Sequence, residues 1–368
     1  MSLPLQGVRV LDLTRLLPGA FATLMLAELG ADVIKIEDPN GGDPTRRLPP
    51  AVAGQGLYHR LLNRGKKSVA LDLRVPASRA ALDRLIDTAD VMIESFRPKT
   101  ARTIGVSAEQ VRGRRPRLIH CAITGYGQQG PYAERPGHDL NYVAEAGLLA
   151  ADRPHAIDLP RMFIADVGGG AMSAVAAILA ALFARERSSD GASLDISMHD
   201  AAVYWMMLPA ARELVAEGAK AVGELPTFGD HACYNLYETR DGRRLALGAL
   251  EPKFWRGFCD AIGRPDLAAR QDTGPDDQRA LIDDVRNVFR QRTSEEWVRH
   301  FHGHEVCLSP VNTAADVLAD PHVAARRLVV PAGAGVRAFR SPFVAEPAAL
   351  TPAPDLGADT DAILKALR

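Results

Sequence analysis

The chain is predicted to fold as an α/β protein, with a doubly wound, mainly parallel sheet and a second, smaller α+β domain. Three observations predict this. Strand-like and helix-like runs alternate over residues 8–217. From about Gly218 the pattern changes to a hairpin followed by helices. The length of 368 residues also exceeds that of a typical single domain. A hydrophobic content of 47% against 24% charged residues is enough to fill a sizeable core. The net charge of −1 excludes a nucleic-acid or membrane-surface partner selected by bulk electrostatics.

Taken in order, Val8–Leu13 alternates as a strand, Pro18-Gly19 turns, Ala20–Leu29 is a helix stopped by Gly30, and Asp32–Ile36 is a second strand. This βαβ unit ends on Glu37, the place of a ribose-binding acid in a dinucleotide fold. Leu16-Leu17-Pro18-Gly19 stands where a GxGxxG turn would be needed, which argues against dinucleotide binding. Ser68–Leu73, Val91–Glu94 and Leu118–Thr124 are further strands, with Ala77–Ala89 a helix among them. Ala171–Arg185 is small and apolar nearly all round and reads as a buried helix. Leu194–Ser197 is a short strand, and Met198–Glu217 a helix on which His199-Asp200 serve capping and packing.

Cys233–Glu238 and Arg243–Leu250 form a hairpin around Thr239-Arg240-Asp241-Gly242. Helices run on to about Gly303, and Leu308–Thr313, Ala314–Leu318 and an amphipathic end at Asp359–Leu367 follow. The expected division is a large domain of 1–200 with 325–368, a linker at 201–225 and a small domain at 226–320.

Cys121, Cys233, Cys259 and Cys307 are scattered without CxxC spacing, as expected of reduced thiols in a cytoplasmic protein, and no metal site is read. Cys121 sits in an apolar strand and is read as inert core. The start of the chain carries no signal-peptide pattern, the last residues match no peroxisomal address, and no apolar run is expected to approach a membrane span.

Doubly wound sheets carry ligands beyond the carboxyl ends of their strands. Asn63-Arg64-Gly65-Lys66-Lys67 and Phe96-Arg97-Pro98-Lys99 are basic loops that offer cations to a phosphate, or else solvated charge runs. The stretch Gly137–Gly170 holds the most chemistry. It opens with Gly137-His138-Asp139-Leu140-Asn141-Tyr142 and closes with Asp166-Val167-Gly168-Gly169-Gly170. An imidazole and a carboxylate, once tuned, can act as general base and acid on opposite faces of one carbon. The backbone N–H groups at Asp166, Gly168 and Gly169 are candidates to hold an oxyanion.

Several motifs carry a resemblance. GVRVLDLTRLLPGAFATLMLAELGADVIKIEDP, NRGKKSVALDL, VMIESFRP, GHDLNY, ADVGGG, ALEPKF and VCLSPVNTAADVLADPH together cover nearly the whole chain. The sequence resembles the family III CoA-transferase (CaiB/BaiF) superfamily and, through GHDLNY, ADVGGG and ALEPKF, its α-methylacyl-CoA racemase branch. The resemblance implies a CoA-binding large domain and an interlocked homodimer with active sites shared between chains. It implies proton transfer by His138 and Asp166, with Glu251 of the other subunit partnering the histidine and Tyr142 beside them. CoA would enter as part of the substrate, with no separate cofactor, and its phosphates would lie near Arg64, Lys66, Lys67, Arg97 and Lys99.

One departure is Glu37-Asp38-Pro39, where racemases carry an arginine after the acid. A phosphate contact is then missing or is supplied by Lys35, Arg46 or Arg47. Gly42-Asp43-Pro44-Thr45-Arg46 resembles the transferase branch, in which Asp166 would instead attack a thioester to form a mixed anhydride. A CoA-binding protein without turnover is the third reading.

Overall fold

The computed structural model describes residues 3–150, 162–216, 229–343 and 349–367. Two compact units divide the chain, Met1–Leu214 with Arg326–Arg368, and Val215–Ala325.

The first unit is built on a six-stranded parallel sheet. Its strands are β1 (Arg9–Leu13), β2 (Asp32–Glu37), β3 (Lys67–Ala70), β4 (Val91–Glu94), β5 (Ile119–Thr124) and β6 (Ser193–Ser197). They lie in the order β3-β2-β1-β4-β5-β6, with Val10 in register with both Val33 and Val91. The order reverses between β1 and β4, which opens a crevice at their carboxyl ends. Side chains alternate across the sheet. Val10, Val33, Ile93, Ile119, Cys121 and Ile123 enter one apolar core, while Leu11, Leu13, Ile34, Ile36, Val69 and Met92 enter the other. Both faces are covered, which is why these strands read as nearly continuous apolar runs.

α1 (Leu16–Glu28) starts four residues before the sequence reading placed it. Pro18 is tolerated because first-turn N–H groups have no helical acceptor to lose. α2 (Leu57–Leu62), α3 (Pro76–Asp87), α4 (Pro98–Ile104), α5 (Ala108–Arg114) and α6 (Asp139–Glu145) follow. A π-helix, Ile164–Met172, then runs directly into α7 (Ser173–Ser188). The result is one apolar helix of 25 residues, longer than the sequence reading and long enough by composition to cross a membrane. It packs on α1, β5 and β6, as a core helix of the sheet does.

α8 (Met198–Trp205) stops well short of the predicted Glu217. Pro209 forbids a regular continuation, and residue 217 and the rest of the expected linker lie outside the described residues. The C-terminal helix Thr360–Ala366 covers the sheet edge. Asp359 Oδ2 accepts the Ser68 N–H at 2.9 Å, and Thr360 Oγ1 accepts that of Ala70 at 3.0 Å.

The second unit holds a three-stranded antiparallel sheet of β7 (Tyr234–Glu238), β8 (Arg244–Gly248) and β9 (Leu308–Pro310), with β8 central. The predicted hairpin turn is present, with Gly242 at φ +71° where a side chain would be strained. α9 (Pro252–Ala261), α10 (Pro275–Phe289) and α11 (Ser294–His300) pack on it. Its core is aromatic, with Tyr237, Phe258 and Phe289 stacked at centroid distances of 5.0 and 5.7 Å.

Candidate active site

Two clefts lie at the carboxyl edge of the six-stranded sheet and share Arg15, Phe96 and Thr100 as lining residues. The smaller, about 300 Å³, lies over the ends of β1, β2 and β3, with Leu13, Ile36, Leu71 and Arg74 in its wall. The larger, about 850 Å³, contains Arg97, Gly125, His138, Tyr142 and Asp166. Both sit where the strand order reverses.

α6 and the π-helix supply the reactive groups of the larger cleft. His138 precedes α6 in extended conformation, and its N–H donates to Asn141 Oδ1 at 3.0 Å. Its ring is on the cleft wall and exposed. Asp166 lies in the first turn of the π-helix and is half-buried. Burial, and then the charge of Asp139, push the Asp166 carboxyl up to about 7. Asp139 Oδ1 accepts the Asp166 backbone N–H at 2.8 Å. Tyr142 is buried, and its ring lies against Gly125 and Gly137, where an added β-carbon would come within 2.6 Å of it. Burial, and then the Asp166 charge, hold its phenol far above the usual value, so it remains a neutral donor.

Of the expected cations, Arg97 reaches the cleft wall and is exposed. Lys99 is exposed on α4, its N–H bonded to Glu134 at 2.7 Å, and is not part of the lining. The other three are corrected. Lys66 is buried, its ammonium held by Asp12 Oδ2 (3.2 Å), Thr23 Oγ1 (2.7 Å), Asn63 Oδ1 (2.9 Å) and the Ala20 carbonyl (3.0 Å). Arg64 is buried against Glu28 at 3.4 Å and the Phe339 carbonyl at 3.3 Å. Lys67 pairs with Asp32 at 2.6 Å, at the amino edge of the sheet and so on the end away from the clefts. A desolvated ammonium needs internal partners, and Lys66 and Arg64 have found them.

The substitutes for the absent arginine after Glu37 fare similarly. Lys35 is buried between Asp12 and Asp43, at 3.7 and 3.1 Å. Arg46 holds Glu37 through two bonds of 2.9 and 2.7 Å, and Arg47 bonds the Gly41 carbonyl. Glu37 is on the wall of the smaller cleft but is buried, and its oxygens are already bonded by Arg46, Ser68 and the Asp43 N–H. The cations at the clefts that sequence reasoning missed are Arg15, Arg74 and Arg135. Arg74 directly follows the LDL of a quoted motif, and that position after a predicted strand was the available signal.

Gly168 and Gly169 do not line either cleft. An added β-carbon would meet the Trp205 ring at Gly168 and Ala201 at Gly169, so these glycines let the π-helix approach α8 closely. The Asp166 amide, also expected as an oxyanion donor, is bonded to Asp139. Glu251 belongs to the second unit, where it is exposed and precedes α9. Cys121 is fully buried, and burial pushes its thiol far up, as befits inert core. His199 and Asp200 start α8, where Ser197 Oγ accepts the Asp200 N–H at 3.1 Å. Among the described residues no cluster of three or more His, Cys, Asp or Glu could hold a metal.

The profile of the family described as CoA-transferase family III matches residues 5–360. The chain belongs to that family. Among the relatives of this family III chain is α-methylacyl-CoA racemase of Homo sapiens, 30% identical over 86% of this chain and 80% of the relative. Human succinyl-CoA:glutarate CoA-transferase is 32% identical over 89% of this chain and 76% of its own length. The crystal structure of a CAIB/BAIF family protein from Brucella suis superposes with a TM-score of 0.86 at 29% identity, covering 100% of both chains. The relatives thus divide between racemase and transferase names, and both act on CoA thioesters by name.

Proposed function

We propose that this family III protein is an α-methylacyl-CoA-type racemase, inverting the α-carbon of 2-methyl-branched acyl-CoA thioesters by proton transfer through an enolate. The observation that carries the reading is the pairing in one cleft of His138 with a carboxyl, Asp166, pushed up to about 7. A thioester acidifies its α-hydrogen by delocalising the carbanion onto oxygen. Inversion needs one group to take that hydrogen and a second to return another from the opposite face. A carboxyl with a proton affinity near neutrality can do either, according to the handedness of the substrate.

The smaller cleft suits the nucleotide end of CoA and the larger its thioester arm, with Arg15 and Arg97 offered to phosphates, while Arg74 is held by Asp72 through bonds of 2.7 and 2.9 Å. Glu251 of a second subunit would partner His138 in an interlocked homodimer. Large exposed apolar side chains on the first unit, among them Phe183, Tyr204 and Leu208 at 63, 67 and 71% exposure, support association with a second copy.

The transferase reading is favoured by the human succinyl-CoA:glutarate relative and would use Asp166 as nucleophile. A carboxyl at about 7 is partly ionised at neutral pH and serves either reading. It is His138, which anhydride formation does not need, that favours the racemase. In D₂O both enantiomers of a 2-methylacyl-CoA should incorporate α-deuterium, about 100-fold more slowly in His138→Ala and in Asp166→Ala. Undiminished exchange in the double variant would overturn the reading. Trapping of an acyl group by hydroxylamine at Asp166 would favour the transferase.

A further inference from the structure

Asp139 touches the frame that carries both acid/base groups. It follows His138 directly, and its Oδ1 accepts the Asp166 N–H at 2.8 Å across 27 residues of sequence. That bond ties the first turn of α6 to the first turn of the π-helix. Any acceptor of the right length would make the tie. A carboxylate does more, because it sets a negative charge beside the group that must itself gain and lose one.

We propose that Asp139 is a positioning residue, which fixes the spacing between His138 and Asp166 and, through its charge, keeps a proton available on Asp166. The inference rests on the acid/base reading of the site. Burial and then Asp139 are the causes that raise the Asp166 carboxyl, which agrees with the geometry.

The other charged groups around the π-helix are engaged elsewhere or stand across the cleft. α6 offers Tyr142, and Glu145 at its end is bonded by Tyr126 and Arg135, while the cleft wall offers His138, Arg15, Arg97 and Arg135. On α8, His199 faces Tyr126 at a ring distance of 5.6 Å and pairs with Asp200. α1 carries only Glu28, paired with Arg64, and α7 carries Arg185, paired with Asp90, with Glu186 and Arg187 at its far end. His120 of β5 bonds the Val106 carbonyl, and Asp195 of β6 accepts the Gln128 N–H. Asp139 is the one anion bonded to the Asp166 segment among the described residues.

The test uses the full chain and two substitutions. Asp139→Asn keeps an acceptor and removes the charge, and Asp139→Ala removes both. Carboxyl NMR titration of the ligand-free protein, with the Asp166 signal assigned by its loss in Asp166→Asn, should place the wild-type midpoint near 7. In Asp139→Asn that midpoint should fall by about one unit, and the limb of the α-hydrogen exchange profile that follows it should move to lower pH. Asp139→Ala should lose about 100-fold in kcat with little change in KM, and Asp139→Asn should recover most of the loss. An unmoved Asp166 midpoint in Asp139→Asn, or wild-type kcat in Asp139→Ala, would overturn the proposal. Wild-type protein that exchanges no α-hydrogen would sink the acid/base reading instead, and the ligand-free titration would then decide the role of Asp139 by itself.

Discussion

Glu94 ends β4 with its side chain wholly buried directly below the Phe96–Arg97 loop that both clefts use. Its Oε2 accepts the Phe96 N–H at 2.6 Å, while Oε1 has no hydrogen bond among the described residues and lies 3.9 Å from His120 Nε2. Burial pushes the carboxyl up to about 8. An acid raised in the folded state contributes its full stability below the unfolded value, and loses it as pH rises to the folded one. Glu94→Gln should therefore match wild type near pH 4 and exceed it by about 2–4 kcal/mol at pH 8. Urea unfolding across that range measures the difference, and a pH-independent gap would refute it. Lys66 and Lys67 show what the sequence could not convey at this scale. They are neighbours, yet one is buried on Asp12, 54 residues away, and the other is exposed on Asp32. Reading both as phosphate ligands required knowing which face of the sheet each would take, and that depends on long-range pairing. His138, Asp166 and Tyr142 were legible because the resemblance gave each a role, whereas Asp139 and Arg15 lie inside quoted motifs with no role attached to them.

The π-helix is the element whose geometry most affects the site, and it is the one the sequence disguised. Three consecutive glycines read as a break before a helix, because glycine costs about 1 kcal/mol in a helix interior. Here they continue it, because α8 approaches too closely for any side chain. At Gly170 a β-carbon would lie 2.9 Å from Met198 Cγ and 3.3 Å from Ile123 Cγ2. Gly170→Ala should thus destabilise the protein by about 1–3 kcal/mol and lower α-hydrogen exchange, since Asp166 is one turn away. Gly113, exposed in α5 with nothing within 4 Å of an added β-carbon, is the control. Gly113→Ala should gain up to about 1 kcal/mol and leave exchange unchanged. Equal effects of the two substitutions on chemical unfolding would refute this account of the glycines. The sheet strands were more legible, since a parallel strand covered on both faces is an apolar run of four to six residues bounded by turns. Their ends were less so. β3 stops at Ala70, three residues before the predicted Leu73, because pairing with β2 ends there.

At the scale of the molecule, the reversal of strand order between β1 and β4 puts both clefts on the first unit, while Glu251 is on the second. The proposed function needs the two residues to meet, and the proposed interlocked dimer brings Glu251 from the other chain. Complementation tests this directly. His138→Ala chains carrying one affinity tag and Glu251→Ala chains carrying another are co-expressed, and doubly tagged dimers are isolated. If each site takes His138 from one chain and Glu251 from the other, a mixed dimer has one doubly altered site and one intact site, and should show about half of wild-type exchange. If both residues come from the same chain, every site carries one lesion, and the mixed dimer should be as inactive as either parent. Failure to recover any doubly tagged dimer would refute association itself. Co-expression is required because interlocked chains cannot exchange partners without unfolding, and mixing the purified parents should therefore restore no activity.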